Sequence, residues 1–119
     1  MPRFVNLTPH EITVRKPDST DLRIPPAGTI ARVKTFEEDA APVDSIPTVY
    51  RQFGRIDGLP PYDPRGDVIY IVSALVLSAL DGPRNEVRPD VVAPDTGSSA
   101  IRDDAGRIVA VTRFVRPGY

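Results

Sequence analysis

Fourteen prolines and eight glycines punctuate this 119-residue chain, and they leave only two uninterrupted stretches longer than a dozen residues, 29–41 and 67–81, too few for a helical bundle. Proline inside a helix removes a backbone hydrogen bond and clashes with the preceding turn, and glycine loosens helix and strand alike. Such a chain must fold from short strands joined by turns. Between the punctuation marks the side chains alternate with the period of strands. Phe4 to Leu7 reads as a first strand. Ile12 and Val14 alternate with Thr13 and Arg15, and Leu22 and Ile24 repeat the pattern after the turn at Pro17-Asp18-Ser19. Pro25-Pro26-Ala27-Gly28 forms the next loop, and Thr29 to Lys34 is a further strand. The acidic, Pro- and Ala-rich stretch 36–47 reads as an exposed loop. Thr48 to Ile56 is a long strand with a bulge at Gly54, and 57–66 is a Pro-stiffened loop.

From Val68 the pattern changes. Val68-Ile69-Tyr70-Ile71-Val72 is continuously apolar, the mark of a strand covered on both faces. Val72, Leu75, Val76, Ala79 and Leu80 then follow at helical spacing, with Ser73 as N-cap and Asp81-Gly82-Pro83 as the stop. Asp90 to Ala93 is a short strand. Ala100–Arg102 and Ile108–Val115 flank Asp103-Asp104-Ala105-Gly106, which predicts a hairpin. The expected fold is therefore a single mainly β (α+β) domain over residues 1–119. It is a compact, largely antiparallel, barrel-like sheet with one helix packed on it.

Composition excludes several functions. The chain has no cysteine, so disulfides, thiolate metal sites and cysteine nucleophiles are ruled out. No apolar run is long enough for a membrane helix, and the first residues lack the order of a secretory signal, so the expected location is cytoplasmic. Net charge is −1 with no basic stripe, which argues against general nucleic-acid binding. Thirteen of the fifteen basic residues are Arg, a bias that suits bidentate phosphate recognition and also follows from GC-rich coding.

One stretch matches a catalytic signature. Val91-Val92-Ala93-Pro94-Asp95-Thr96-Gly97-Ser98-Ser99 reads like the active-site loop of an aspartic protease. That chemistry needs two carboxylates sharing a proton, which a chain of this length could supply only as a symmetric dimer. Position argues against it. Only 22 residues follow Gly97, and most of them belong to the hairpin. Pro94 also interrupts the strand just before the aspartate. A turn in which Asp95 accepts from backbone N–H groups is the competing reading. His10, the only histidine, has no second histidine with which to build a metal site and no partner identified by spacing. No Gly-x-Ser-x-Gly elbow and no phosphate-binding glycine loop is present. No metal, no cofactor and no catalytic residue is expected, and the chain reads as a non-enzyme.

The most suggestive loop is Arg51-Gln52-Phe53-Gly54-Arg55-Ile56-Asp57-Gly58. On a regular strand Arg51, Phe53 and Arg55 share one face, where two guanidiniums around an aromatic ring could grip a phosphate and stack a base. A solvated strand face with Phe53 covering a core edge is the alternative. Tyr70 is a second candidate stacking face. Asp95 and Thr96 are candidate polar contacts at a loop.

An ordered set of motifs runs through the chain: Asn6-Leu7-Thr8-Pro9-His10, Ile24-Pro25-Pro26-Ala27-Gly28, Phe53-Gly54-Arg55-Ile56-Asp57-Gly58-Leu59-Pro60, Tyr70-Ile71-Val72-Ser73-Ala74-Leu75-Val76, Pro94-Asp95-Thr96-Gly97 and Arg102-Asp103-Asp104-Ala105-Gly106-Arg107-Ile108. In this it resembles an uncharacterised group of small phage and prophage-associated proteins. The resemblance covers nearly the whole length and brings no catalytic residue with it. It implies a phage setting, in which small non-enzymatic proteins sequester nucleotide-derived immune signals of the host. The leading expectation is thus a small-molecule-binding protein of that kind, a homo-oligomer whose site lies at or near its interface. A structural or interaction accessory protein is the second expectation, marked by an exposed apolar patch in place of a pocket. A dimeric aspartic-protease-like enzyme is the third.

Overall fold

The computed structural model describes residues 3–80 and 88–117, and the expected helix stop at Asp81-Gly82-Pro83 lies outside them. The elements in chain order are β1 (Arg3–Asn6), β2 (Ile12–Arg15), β3 (Asp21–Ile24), β4 (Arg32–Val43), β5 (Ile46–Asp57), β6 (Val68–Ile71), α1 (Ala74–Leu80), β7 (Val91–Pro94), β8 (Ile101–Arg102), β9 (Ile108–Ala110) and β10 (Phe114–Val115). The fold is mainly β with one described helix, as the punctuation requires.

The centre is an open four-stranded sheet in the order β1-β6-β7-β10. β1 and β7 both run parallel to β6, and β10 closes the far edge antiparallel to β7. The parallel pairs were not legible from the strand pattern, which led to a largely antiparallel expectation. β6 and β7 are parallel neighbours joined through α1, because parallel strands need a crossover connection. The sheet is covered on both faces, as the apolar run at 68–72 requires. Val5, Tyr70, Val72, Val91 and Ala93 face a cluster built with Val76, Leu77 and Leu80 of α1 and with Val33 and Ile56. Phe4, Ile69, Ile71 and Val92 point the other way, onto Ile12, Val14, Leu22 and Ile24 of the β2–β3 hairpin and onto Val111 and Phe114. Strict alternation along β1, β6 and β7 thus divides one sheet between two cores.

Helix α1 begins as expected, with the Ser73 hydroxyl accepting from the Val76 N–H at 3.3 Å. Its buried face is Val76, Leu77 and Leu80, whereas Leu75 is 45% exposed. The expected stripe through Leu75 is therefore rotated, because α1 seats on a parallel sheet and on the base of β4 and β5. The expected strand over 108–115 is also divided. β9 pairs with β8, and β10 leaves it to pair with β7.

The largest departure is at 36–47. In place of an exposed loop, β4 and β5 form one twelve-residue by twelve-residue ribbon closed by a two-residue turn at Asp44-Ser45. Both turn residues have positive φ, 48° and 65°, the signature of the tight turn whose twist matches a hairpin. Pro42 and Pro47 fall where the register shifts between Ala40 and Val43, so their missing N–H groups sit where the ladder is interrupted. The expected bulge at Gly54 is present: Lys34 alone on β4 stands opposite Gly54 and Arg55 together on β5. A Cβ on Gly54 would fall 2.5 Å from Cε2 of Phe36, so the glycine lets that ring lie across the bulge.

The ribbon extends beyond the body. The radius of gyration is 16.5 Å, against about 13.5 Å for a compact domain of this length. No helix of the described residues is long and apolar enough to cross a membrane.

Candidate functional site

The ribbon carries most of the expected ligand-binding residues, and its register decides how they stand. Directly opposite pairs are Thr35 with Phe53, Glu37 with Arg51 and Asp39 with Val49 on one face. Phe36 with Gln52, Glu38 with Tyr50, Ala40 with Thr48 and Val43 with Ile46 occupy the other. Arg51 and Phe53 share a face as expected. Arg55 does not join them, because the bulged residue shifts the alternation and puts Ile56 in its place. Phe53 is half-buried near the ribbon base. Each guanidinium already has a carboxylate partner. Arg51 meets Glu37 across the ribbon at 3.3 Å, and Arg55 meets Asp57 at 3.0 Å with its own side chain 83% exposed. A clamp of two free guanidiniums around Phe53 is therefore not assembled.

Tyr70 lies on β6 and packs against the core beneath α1 and the ribbon base, not beside Arg51. Asp95 and Thr96 sit at a different place, the turn after β7. There the Asp95 carboxylate accepts from the Gly97 N–H at 2.9 Å and from the Arg113 guanidinium. Thr96 contributes its carbonyl to Arg102 at 3.1 Å. The Arg113 hydrogen bond first, then that of Gly97, hold the Asp95 carboxyl below the usual carboxylate range. The geometry here is that of a turn corner, and Pro-Asp-Thr-Gly needs no further role to account for it.

Two concavities stand out among the described residues. One, about 200 Å³, lies between the bulge and the helix and is lined by Gly54, Arg55, Ile56, Leu59, Leu80 and Arg88. It brings Arg55 beside a second arginine that spacing did not single out. Arg88 is buried and grips Asp90 at 2.9 and 3.1 Å while donating to the Pro60 carbonyl at 2.7 Å. With Asp57 and Asp90 attached, the two arginines bring little net positive charge. The other concavity, about 260 Å³, is an open apolar groove along α1, with Arg32 at its rim. His10 is exposed; its carbonyl accepts from the Asn6 amide and the Thr8 hydroxyl. Among the described residues no three His or carboxylate side chains are grouped to hold a metal ion.

The feature that strand patterning missed is the second face of the ribbon. Phe36, Val43, Ile46 and Tyr50 all lie on it, each between 58% and 63% exposed. Glu38 is the one charge among the four paired rungs of that face. The opposite face carries the Glu37–Arg51 ion pair and Asp39, with Val49 as its one large exposed apolar residue at 45%. The ribbon is thus amphipathic, with its apolar side turned to solvent. Reading 36–47 as a loop hid this, since only the pairing register puts Phe36 and Ile46 on one surface.

Comparison with known proteins finds no relative: no family model matches the chain, and no curated protein or solved structure matches it.

Proposed function

We propose that this chain is a non-enzymatic interaction protein of phage type that works through the β4–β5 ribbon. One observation carries the reading: four large apolar side chains stand together, more than half exposed, on one face of a ribbon that extends from the body. A two-stranded ribbon is marginal in water by itself. An apolar patch of this kind at its surface marks a contact to be covered. The scattering of Arg51, Arg55, Tyr70 and Asp95, each already paired or packed within the chain, supports an accessory protein over a small-molecule-binding one. The test is a photo-crosslinking residue at Tyr50 or Ile46, with a control at Asp18 on the far hairpin, in bacteria producing the chain. The reading expects a protein adduct from the ribbon face and none from the control. No protein adduct from either ribbon position overturns it.

A second reading rests on the cleft lined by Arg55 and Arg88. A small phosphate-bearing ligand, of nucleotide type, would displace Asp57 from Arg55 and lie against Leu59 and Ile56. A thermal-shift panel of linear and cyclic nucleotides tests it. Ligand at one hundred times its dissociation constant adds about 2.7 kcal/mol, a shift of roughly 4–8 °C in a domain this small. Loss of that shift in Arg55→Ala supports the reading, and a flat panel overturns it.

A further inference from the structure

We infer that the occupant of the ribbon's apolar face is a second copy of this chain, its ribbon laid antiparallel and face to face across a twofold axis. This rests on the proposed role of the ribbon as the contact element. The face consists of four rungs: Phe36/Gln52 nearest the body, then Glu38/Tyr50, Ala40/Thr48, and Val43/Ile46 next to the tip. Antiparallel overlay sets the first rung on the partner's fourth and the second on its third.

Three features match under that overlay. First, size is complementary. Tyr50 comes over the small Ala40 and Thr48 of the other copy, and Phe36 over Val43 and Ile46. Large residues face small ones at the middle, and two apolar groups meet at each end. Second, charge is complementary. Strand alternation puts Lys34 one rung beyond Phe36 toward the body, and the overlay brings it to the partner's tip at Asp44. Both side chains are exposed, and neither has a partner among the described residues. A parallel overlay instead sets Tyr50 of each copy over Glu38 of the other, bulk on bulk, with both carboxylates held in the same rung. Antiparallel packing displaces those carboxylates by about one rung, ~7 Å at the strand rise. Third, the area suffices. Covering four more-than-half-exposed apolar side chains from each copy, with the polar residues between them, removes on the order of 1,000 Å². That is the size at which a specific interface begins. The twofold makes every contact occur twice, so the Lys34–Asp44 pair closes both ends of the interface.

The absence of cysteine makes the geometry directly readable. In the double variant Lys34→Cys/Asp44→Cys the two thiols of one chain lie near the base and at the tip of the ribbon, ten residues apart and beyond disulfide reach. Only a second copy can supply the partner. Mild oxidation should give a covalent dimer from the double variant and far less from either single variant. Sedimentation velocity of the unmodified chain should show a monomer–dimer equilibrium. Tyr50→Ser should weaken it by about tenfold or more. Lys34→Glu should also weaken it, and Lys34→Glu with Asp44→Lys should restore it. Circular dichroism of each variant checks that the ribbon is retained. A chain that stays monomeric up to high micromolar concentration overturns the inference. So does a dimer indifferent to Tyr50→Ser and to the charge exchange. The crosslink from Tyr50 separates the two levels. An adduct of twice the chain's mass supports both, an adduct with a different protein keeps the ribbon as contact element and overturns self-association, and no adduct overturns both.

Discussion

Arg88 and Asp90 form a two-point ion pair, 2.9 and 3.1 Å, with both side chains less than a tenth exposed. The same guanidinium holds the Pro60 carbonyl at 2.7 Å, so one side chain ties the loop after β5 to the start of β7. A buried pair of this kind is a poor stabiliser against an apolar substitute but costly to halve, because a lone charge then remains in the interior. Arg88→Ala should destabilise the chain by about 3–5 kcal/mol. Asp90→Asn should be comparably damaging. The double variant Arg88→Met/Asp90→Leu should lose less than the sum of the single changes. Urea unfolding followed by circular dichroism measures all three.

Asn6 is the other buried polar anchor. Its amide donates to the carbonyls of His10 and Ile24 at 2.8 and 3.0 Å, and its oxygen accepts from the Thr8 N–H and hydroxyl at 3.0 and 2.6 Å. Asn6→Asp keeps the shape but removes both donors and buries a charge. The loss should be about 3 kcal/mol or more at neutral pH. Burial raises the folded-state pKa of such a carboxyl above its unfolded value. The deficit should therefore be largest above that raised pKa and shrink as pH falls through it. A deficit that does not change with pH would contradict this account.

Gly58 follows β5 with φ +83°, and a Cβ there would lie 2.5 Å from the carbonyl oxygen of Ile30. Gly28 has φ +98° with open space around the same position. Gly28→Ala should cost only the backbone strain, about 1–2 kcal/mol. Gly58→Ala must also push back main chain at the ribbon base and should cost clearly more. Paired thermal melts of the two variants decide the point, and equal losses would refute the assigned contact.

Asp95 and Arg113 set an acid limit. The folded carboxyl is lowered relative to the unfolded chain, so its contribution is present above the ordinary carboxylate pKa. It is lost as pH falls through the folded value, which places the loss below about pH 4. Asp18 and Asp21 are lowered in the same direction, by Thr20 and Arg15 respectively, and add to the same limb. Arg113→Gln should move the Asp95 titration midpoint, followed by carbon-detected NMR, upward toward the ordinary range. An unchanged midpoint would remove Arg113 as the cause.

Much of the architecture was legible along the chain because it is local. Proline and glycine spacing excluded bundles, Ser73 capped α1, and the bulge at Gly54 and the turn at 103–106 fell where their residues pointed. The ligand clamp failed for a local reason too: one extra residue at the bulge moved Arg55 off the face of Arg51 and Phe53. The loop expected at 36–47 failed because acidic residues and proline are unfavourable for a strand only until a partner is given. Glu37 gains Arg51 opposite, and Pro42 and Pro47 fall where the ladder is already broken.

The sequence by itself determined which side chains point to opposite sides of each strand, where the chain must turn, and that no long helix could form. Only the tertiary structure decided which strands are neighbours: that β1 and β7 flank β6 in parallel, that Asn6 and Arg88 become buried anchors, and that Phe36, Tyr50, Val43 and Ile46 share one exposed face. The physical reason is that alternation has a period but no address. A strand's pattern fixes its faces through backbone geometry, whereas its partner and register follow from contacts between residues far apart in the chain.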